Sequence, residues 1–469
     1  MQNRLTRPPG AELDIAIVGG GASGTLTAVQ LLRGGTSADL PLHITLLDRD
    51  GRHGLGQAYA TEHPAHLLNA MAGQMSAFPD DAEHLMRWAG VSATAFLPRR
   101  DYGSYLRHTL VEAARQAIGA RLTRRTAEVV AIRRDGPGSA VRLVLADGDT
   151  LQADAVVLAT GNVTGSLPFP APASSRVIAD PWAPGALAAI SDGDPVVIVG
   201  TGLTMLDLAV SVTTARPDTV VHAVSRHALL PRPHPGTLSV RRQTWLPATS
   251  RSTGPVRLGE LMWQVRAAIA SNPAGWFEVV DSLRPYVPGL WRRMPERDRR
   301  LFLRHVARYW EVHRHLVPPV TMSRIATLRH TGRLAVRSGR ITQVIEDDRG
   351  LLVHCESGGQ ASELRAGWLI NGTGVTTDVT ATASPLLQDL LASGMTRPDP
   401  FRLGVEADCN GAVLDAAGRP SEVLYSLGPP LRGVWYETTA IPEIRVQAAT
   451  LARHLAAERG LTRRPGSAA

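Results

Sequence analysis

The chain has 469 residues, 44% hydrophobic and 20% charged, which excludes an intrinsically disordered protein and leaves room for several domains. Its formal net charge is +8, and all 50 of its basic residues are arginines, which excludes a Schiff-base lysine, pyridoxal phosphate chemistry included, and a phosphate-loop lysine. The arginines are spread among acids instead of clustering with aromatics, so nucleic acid is not an expected partner.

In chain order, residues 1–14 hold arginines and prolines but no apolar stretch, so no secretion signal is expected. Leu13–Val18 reads as a strand that runs into Gly19-Gly20-Gly21-Ala22-Ser23-Gly24, a helical pattern continues to Leu32, and a second strand over 43–47 ends at Asp48. Residues 122–158 read as short alternating strands, with Asp147-Gly148 as a hairpin turn and a close on Val156-Val157-Leu158-Ala159-Thr160-Gly161. A second unit starts with a strand at 195–199, then Gly200-Thr201-Gly202-Leu203-Thr204-Met205, a helix, and a strand at 219–224. Residues 231–255 read as an irregular connection, and 258–314 as a helical cap broken near Pro285 to Pro295. Over 332–374 the short-strand texture returns and closes on Trp368-Leu369-Ile370-Asn371-Gly372-Thr373-Gly374. Two meanders that each end at a Thr-Gly turn predict two nucleotide-binding units built alike. No run of about 18 apolar residues occurs, so no membrane span is expected and the expected location is cytoplasmic.

Gly19, Gly21 and Gly24 have the spacing that lets a backbone approach a pyrophosphate, while the helix opening at Ala22-Ser23 offers N–H groups and the positive end of its dipole. Asp48, at the end of the next strand, suits a ribose diol. The second fingerprint keeps Gly200 and Gly202, followed by Leu203 and Thr204, but has Met205 where the third glycine belongs. Where a NAD site has an acid, this chain has Ser225-Arg226-His227, and Arg226 suits the 2′-phosphate of NADPH; a surface arginine beside a loop is the alternative. Cys355 and Cys409 lie far apart with no CxxC and no Cys/His cluster, so neither a dithiol relay nor a metal site is expected. Electrons taken from a nicotinamide by a flavin must therefore pass to oxygen, a small organic acceptor or another protein.

Further motifs are Gly54-Leu55-Gly56-Gln57-Ala58-Tyr59, His66-Leu67-Leu68-Asn69, Met75-Ser76-Ala77-Phe78-Pro79, Pro98-Arg99 with Tyr102-Gly103, Gly428-Pro429, Trp435-Tyr436-Glu437-Thr438-Thr439 and Pro442-Glu443-Ile444-Arg445. With the glycine loops and Ala159-Thr160-Gly161, these resemble, over nearly the whole chain, the FAD-NAD(P)-binding proteins that include flavin-dependent N-hydroxylases converting aspartate to nitrosuccinate. More distantly they resemble the ornithine and lysine N-hydroxylases. The resemblance implies that residues 57–76 wrap a flavin, with Gln57, Tyr59, Met75 and Arg99 at the cofactor and the Asn69 and Ser76 side chains near its ring or ribityl chain. Thr160, Gly161, Gly428 and Pro429 would approach it too; Gly428-Pro429 stands where the wider fold has Gly-Asp, so backbone replaces a carboxylate there. A helix over 440–455 would pack on the first domain. The implied reaction is reduction of FAD by NADPH, addition of oxygen to give a flavin hydroperoxide, and hydroxylation of an amine. A small acidic amino acid would need arginine forks for its carboxylates, and the candidates are Arg304, Arg314 and Arg445, with His315 as a further hydrogen-bonding group. Arg445, near the start of the last helix, could alternatively reach a flavin phosphate.

The expected fold is α/β, with two dinucleotide-binding (Rossmann-like) domains, β-meanders and a small helical cap. Residues 1–170 and 341–469 would form the FAD domain, and 171–340 the inserted NAD(P) domain carrying the cap at 258–314. Expected partners are a small substrate and molecular oxygen, with a homodimer as the base-rate oligomer. A reductase of a small acceptor and a flavin-binding protein without catalysis are the competing readings.

Overall fold

The computed structural model describes residues 12–34, 41–136, 139–190, 193–235 and 245–458; the expectations for residues 1–11 and for the middle of the 231–255 connection lie outside these. Two parallel sheets carry the architecture. In the first, Leu13–Val18 lies between Leu42–Asp48 and Ala155–Leu158. Ala120–Thr126 extends one side, Pro420–Ser426 the other, and Ala412–Leu414 closes that edge antiparallel. In the second, Val196–Val199 lies in the same way between Val221–Ser225 and Trp368–Asn371, with Leu334–Ser338 and Val177–Ile178 at the edges.

The central strands of both sheets are buried on both faces, which is why they read as continuous apolar runs. In the first, Ile15, Ile17, Ile44 and Val157 face helices Ala22–Arg33, Arg99–Gln116 and Ile441–Glu458, while Ala16, Val18, Val156 and Leu158 face a meander over 129–153. In the second, Ile198, Ala223 and Ile370 face helices Leu203–Ala215 and Pro319–His330, while Val197, Val199 and Leu369 face the meander over 340–366. The hairpin expected at Asp147-Gly148 joins Val141–Leu145 to Thr150–Ala153, with Gly148 at φ 87°.

The boundary expected at residue 340 is corrected by this topology. Trp368–Asn371 is the fourth parallel strand of the second sheet, reached only after the meander has crossed one face, so the chain rejoins the first sheet at Ala412–Leu414 and Pro420–Ser426. The antiparallel pair Val163–Thr164 and Val375–Thr376 joins the two crossings between units.

A set of short helices runs from Leu258 to Arg314 and forms a cap. It comprises Leu258–Ser271, Trp276–Leu283, Val287–Arg293, Glu296–Leu301 and Ala307–Arg314, with proline at Pro285, Pro288 and Pro295 marking the breaks. Phe302–Val306 is a π-helical turn between the last two helices. Trp291 Nε1 donates to Gly433 O at 2.7 Å and Trp310 Nε1 to Glu437 Oε1 at 2.9 Å, which docks the cap on the C-terminal part of the first unit.

Candidate active site

The first glycine loop leaves its strand through Gly19 at φ 111°, where a Cβ would stand 2.3 Å from Ala159 O. At Gly24 a Cβ would stand 1.9 Å from Gly19 O, so any side chain there would separate helix from strand. Helix Ala22–Arg33 has neither a side-chain cap nor an acid in its first turn, so its N–H groups remain for an anion. Asp48 accepts from Gly20 N at 3.1 Å, Asp50 N at 3.1 Å and Arg52 N at 2.9 Å, binding the turn after its strand to the glycine loop. The segment from Gly54 passes over the loop, where Gly54 N donates to Gly20 O at 2.8 Å.

The second loop repeats this geometry. Gly200 has φ 110°, and Gly202 opens its helix at φ −82°, ψ −166°, against −68°, −165° at Gly21. Met205 takes the place of Gly24 and is buried in the second core. The helix starts more loosely there: Leu206 N to Gly202 O is 3.3 Å, whereas Thr25 N to Gly21 O is 2.9 Å. Thr201 Oγ1 bonds Ser225 Oγ at 2.8 Å and Leu229 O at 2.7 Å, holding the turn with Arg226 and His227 against the loop.

Between the units lies a cavity of about 280 Å³. Tyr59, Leu68, Asn69, Gln74, Met75, Arg99 and Asn162 line it from the first unit, Leu203 and His234 from the second, and Phe277, Asp281, Arg284, Arg314 and His315 from the cap and its end. Thr439 to Pro442, where the last helix begins, complete it. The two units are joined beside it by polar contacts: Arg99 Nη2 lies 2.7 Å from Asp207 Oδ2, and His66 Nε2 lies 2.7 Å from Ser211 Oγ. Burial, with Arg99 and His63 nearby, pulls His66 down to about 4. Burial pushes the Asp207 carboxyl up, and Arg99 opposes it.

Residues 16–163 match the family model described as FAD-NAD(P)-binding. This part of the chain is an FAD-NAD(P)-binding domain. No curated protein sequence is significantly similar to the chain. Among solved structures, it is similar to ornithine hydroxylase from Pseudomonas aeruginosa, with a TM-score of 0.62 and 14% identity over 96% of this chain and 100% of that one. It is similar to the ornithine N-hydroxylase of Kutzneria sp. 744, whose structure holds reduced FAD, NADP+ and L-ornithine, with a TM-score of 0.60 and 16% identity over 96% and 100%. The FAD-bound cadaverine monooxygenase of Erwinia amylovora gives a TM-score of 0.62 and 13% identity over 98% of each chain. At these identities the likeness is one of fold: two linked nucleotide-binding units along the whole length.

In the FAD-NAD(P)-binding domain, Gly19, Gly21, Ser23, Gly24 and Asp48 come together at the first loop, and Thr160 and Gly161 follow the neighbouring strand. Gly428 belongs there too: a Cβ on it would stand 2.5 Å from Ser23 Oγ, and its N–H donates to Gln447 Oε1 at 2.8 Å. Pro429 beside it is buried. Tyr59, Asn69, Met75 and Arg99 line the cavity; Gln57 is half-buried and does not. Ser76 differs from expectation. It is fully buried, and its hydroxyl donates to Asp81 O at 2.5 Å, so it fixes the turn after Met75 instead of facing a flavin. Gly200, Gly202, Leu203 and Thr204 form the second loop, with Arg226 exposed beside it.

The substrate candidates separate. Arg314 and His315 line the cavity, but each has a carboxylate partner: Arg314 Nη2 is 3.3 Å from Glu437 Oε2, and His315 Nε2 is 3.0 Å from Glu311 Oε2. Nε and Nη2 of Arg314 still make no hydrogen bond among the described residues. Arg445 points elsewhere: Nη1 donates to Ser76 O at 2.9 Å and Gln74 O at 3.4 Å, so it clamps residues 74–76 to the last helix. Arg304 is exposed on the π-helical turn and lines no part of the cavity.

Sequence reasoning missed Asp281, Arg284, His234, Phe277, Gln74 and Asn162. His234 fell in a connection without periodicity, and the cap read only as a broken run of helices. The cap's buried charges are in fact matched: Arg284 bonds Glu443 at 2.5 and 2.9 Å, and Arg432 bonds Glu311 at 2.5 Å. Burial raises Glu311, yet His315 and Arg432 together hold it at about 2. Of the cysteines, Cys355 is buried in the second meander and Cys409 is exposed, and neither lines the cavity. Glu12, Asp14 and His43 cluster at the opposite end of the first sheet, where Arg121 bonds both oxygens of Glu12 at 2.7 Å.

Proposed function

We propose that this chain is an NADPH-dependent flavin monooxygenase that hydroxylates the amine of a small carboxylate-bearing substrate. The observation that carries the reading is the cavity in which both nucleotide units and the cap meet. FAD, when bound, supplies two-electron transfer from reduced nicotinamide to molecular oxygen. Asn69, Gln74 and Tyr59 offer polar groups to a flavin's edge, with Met75 and Leu68 as apolar cover. Leu203 brings the second loop, and with it the nicotinamide, to the same cavity.

The cap supplies the substrate groups. Asp281 makes no ion pair among the described residues, so its carboxylate attracts an ammonium and accepts the proton that must leave before nitrogen can act as a nucleophile. Arg314 lines the cavity and offers its guanidinium to a substrate carboxylate in competition with Glu437. Phe277 and the docked cap keep water from the reacting atoms. The fold neighbours whose names give ornithine and cadaverine as substrates support an amine as the acceptor.

The test is product analysis. With NADPH, oxygen and a panel of small amino acids, at least one amine should give a hydroxylamine or its further oxidation product. NADPH oxidation that yields only hydrogen peroxide with every amine, or that continues without oxygen through a small acceptor, would move the assignment to a reductase.

A further inference from the structure

Among the described residues, the buried Arg284 and the half-buried Arg99, Arg314 and Arg432 each face a carboxylate. A group at the end of the second nucleotide strand breaks the pattern. Arg226 and Arg304 are exposed, Arg308 is half-buried, and among the described residues none of the three forms an ion pair. Arg308 lies on helix Ala307–Arg314 of the cap, yet its Nη1 donates to Nε2 of His227 at 2.7 Å, across the gap between cap and second unit. Its Nη2 donates to Arg304 O at 3.1 Å, and its Nε is buried without a hydrogen-bond partner. Positive charge has been gathered here and left without a counter-charge, with a buried donor that the protein does not satisfy.

We propose that Arg308 of the cap, with Arg226 and His227, forms the pocket for a phosphomonoester on the ribose of the dinucleotide held at the second glycine loop. The inference rests on the reading of that loop as the NADPH site and goes beyond it, because it assigns cofactor discrimination to a cap residue. Three observations place the pocket. Thr201 ties the turn that carries Arg226 and His227 to the glycine loop, so these side chains stand where the adenosine ribose of a nucleotide on that loop falls. Because Arg308 donates to Nε2, His227 carries its proton on Nδ1 and is a second donor. The π-helical turn Phe302–Val306 immediately precedes Arg308, and such insertions displace the following side chains from regular helical register. A phosphate dianion supplies the counter-charge that the three side chains lack.

The experiment is calorimetric titration of the FAD-loaded protein with adenosine 2′,5′-bisphosphate and with 5′-AMP, which differ by the phosphate in question. The wild type should prefer the bisphosphate. Arg308→Ala should weaken the bisphosphate by about tenfold or more, while 5′-AMP changes less than about twofold. Arg308→Gln, which keeps the helix and removes the charge, should fall between them. Equal losses for both ligands, or no loss for either, overturn the proposal. If Arg226→Ala abolishes discrimination while Arg308→Ala leaves it intact, the NADPH reading stands and the role of the cap residue falls. A wild type that binds both ligands equally overturns the NADPH reading and this inference together.

Discussion

Arg284 of the cap holds both carboxylate oxygens of Glu443, in the first turn of the last helix, at 2.5 and 2.9 Å, and its guanidinium also forms part of the cavity wall. The side chains are 8% and 15% exposed, so removing Arg284 leaves the buried Glu443 with only Arg314, 3.8 Å away, as counter-charge. Arg284→Met should cost about 3–5 kcal/mol of stability. Adding Glu443→Met to it should recover most of that loss, because the double variant leaves neither member of the pair as a lone charge and Arg314 keeps Glu437 as its partner. Denaturant unfolding of the single and double variants measures both; an additive double variant would mean that the pair does not act as a unit.

Acid should act most strongly at two places, the groups with the largest downward shifts. The folded pKa of Glu311 lies at about 2, below its ordinary 4.5, so its contribution to stability is full above about 4.5 and is lost as pH falls towards 2. His66 is depressed from 6.5 to about 4. The unfolded chain therefore binds the proton first, and stability falls as pH drops from 6.5 to 4, by up to about 3 kcal/mol. Because His66 bonds Ser211 across the units, His66→Gln should flatten the pH dependence of the thermal midpoint in the upper window and leave the lower one unchanged. A slope between pH 6.5 and 4 that survives the substitution would assign it to another group.

The close approach at Gly24 predicts a loss that reads by eye. Gly24→Ala places a methyl 1.9 Å from Gly19 O, so the variant should purify colourless or lose FAD on gel filtration. A yellow variant with full flavin content would show that the loop tolerates widening, as the second loop does around Met205.

Asp281→Asn should raise the amine KM by about ten- to a hundredfold, the worth of a charge-assisted hydrogen bond. The rate at which NADPH bleaches the flavin without oxygen should not change, since Asp281 is placed to act on the substrate's amine. Equal effects on both steps would make it a structural residue of the cap.

How far the sequence reached depended on the kind of signal. Leu13–Val18 and the strand ending at Val199 are buried on both faces, so unbroken apolar runs marked them, and the glycines named the turns that follow. Helical periodicity and prolines set the expected cap at 258–314. Strand order was not: nothing local in Trp368–Asn371 tells that it completes the second sheet instead of opening the return to the first. Nor were the roles of the arginines. Arg304, Arg314 and Arg445 look alike in a chain whose basic residues are all arginine, and only tertiary packing sends one to solvent, one to Glu437 and one to the carbonyls of Gln74 and Ser76. Met75 and Ser76 are adjacent, yet one faces the cavity and the other the turn at Asp81, a difference of side-chain direction that composition does not carry.

The central claim is that electrons entering from NADPH leave as a hydroxylated amine. The most direct measurement is the ratio of hydroxylamine formed to NADPH consumed by the FAD-loaded protein in oxygenated buffer, with peroxide quantified alongside. The account predicts an amine-dependent rise in NADPH consumption with most of it recovered as hydroxylamine, and a fall in that yield for Asp281→Asn. Consumption matched by peroxide for every amine, with no hydroxylamine, would contradict it.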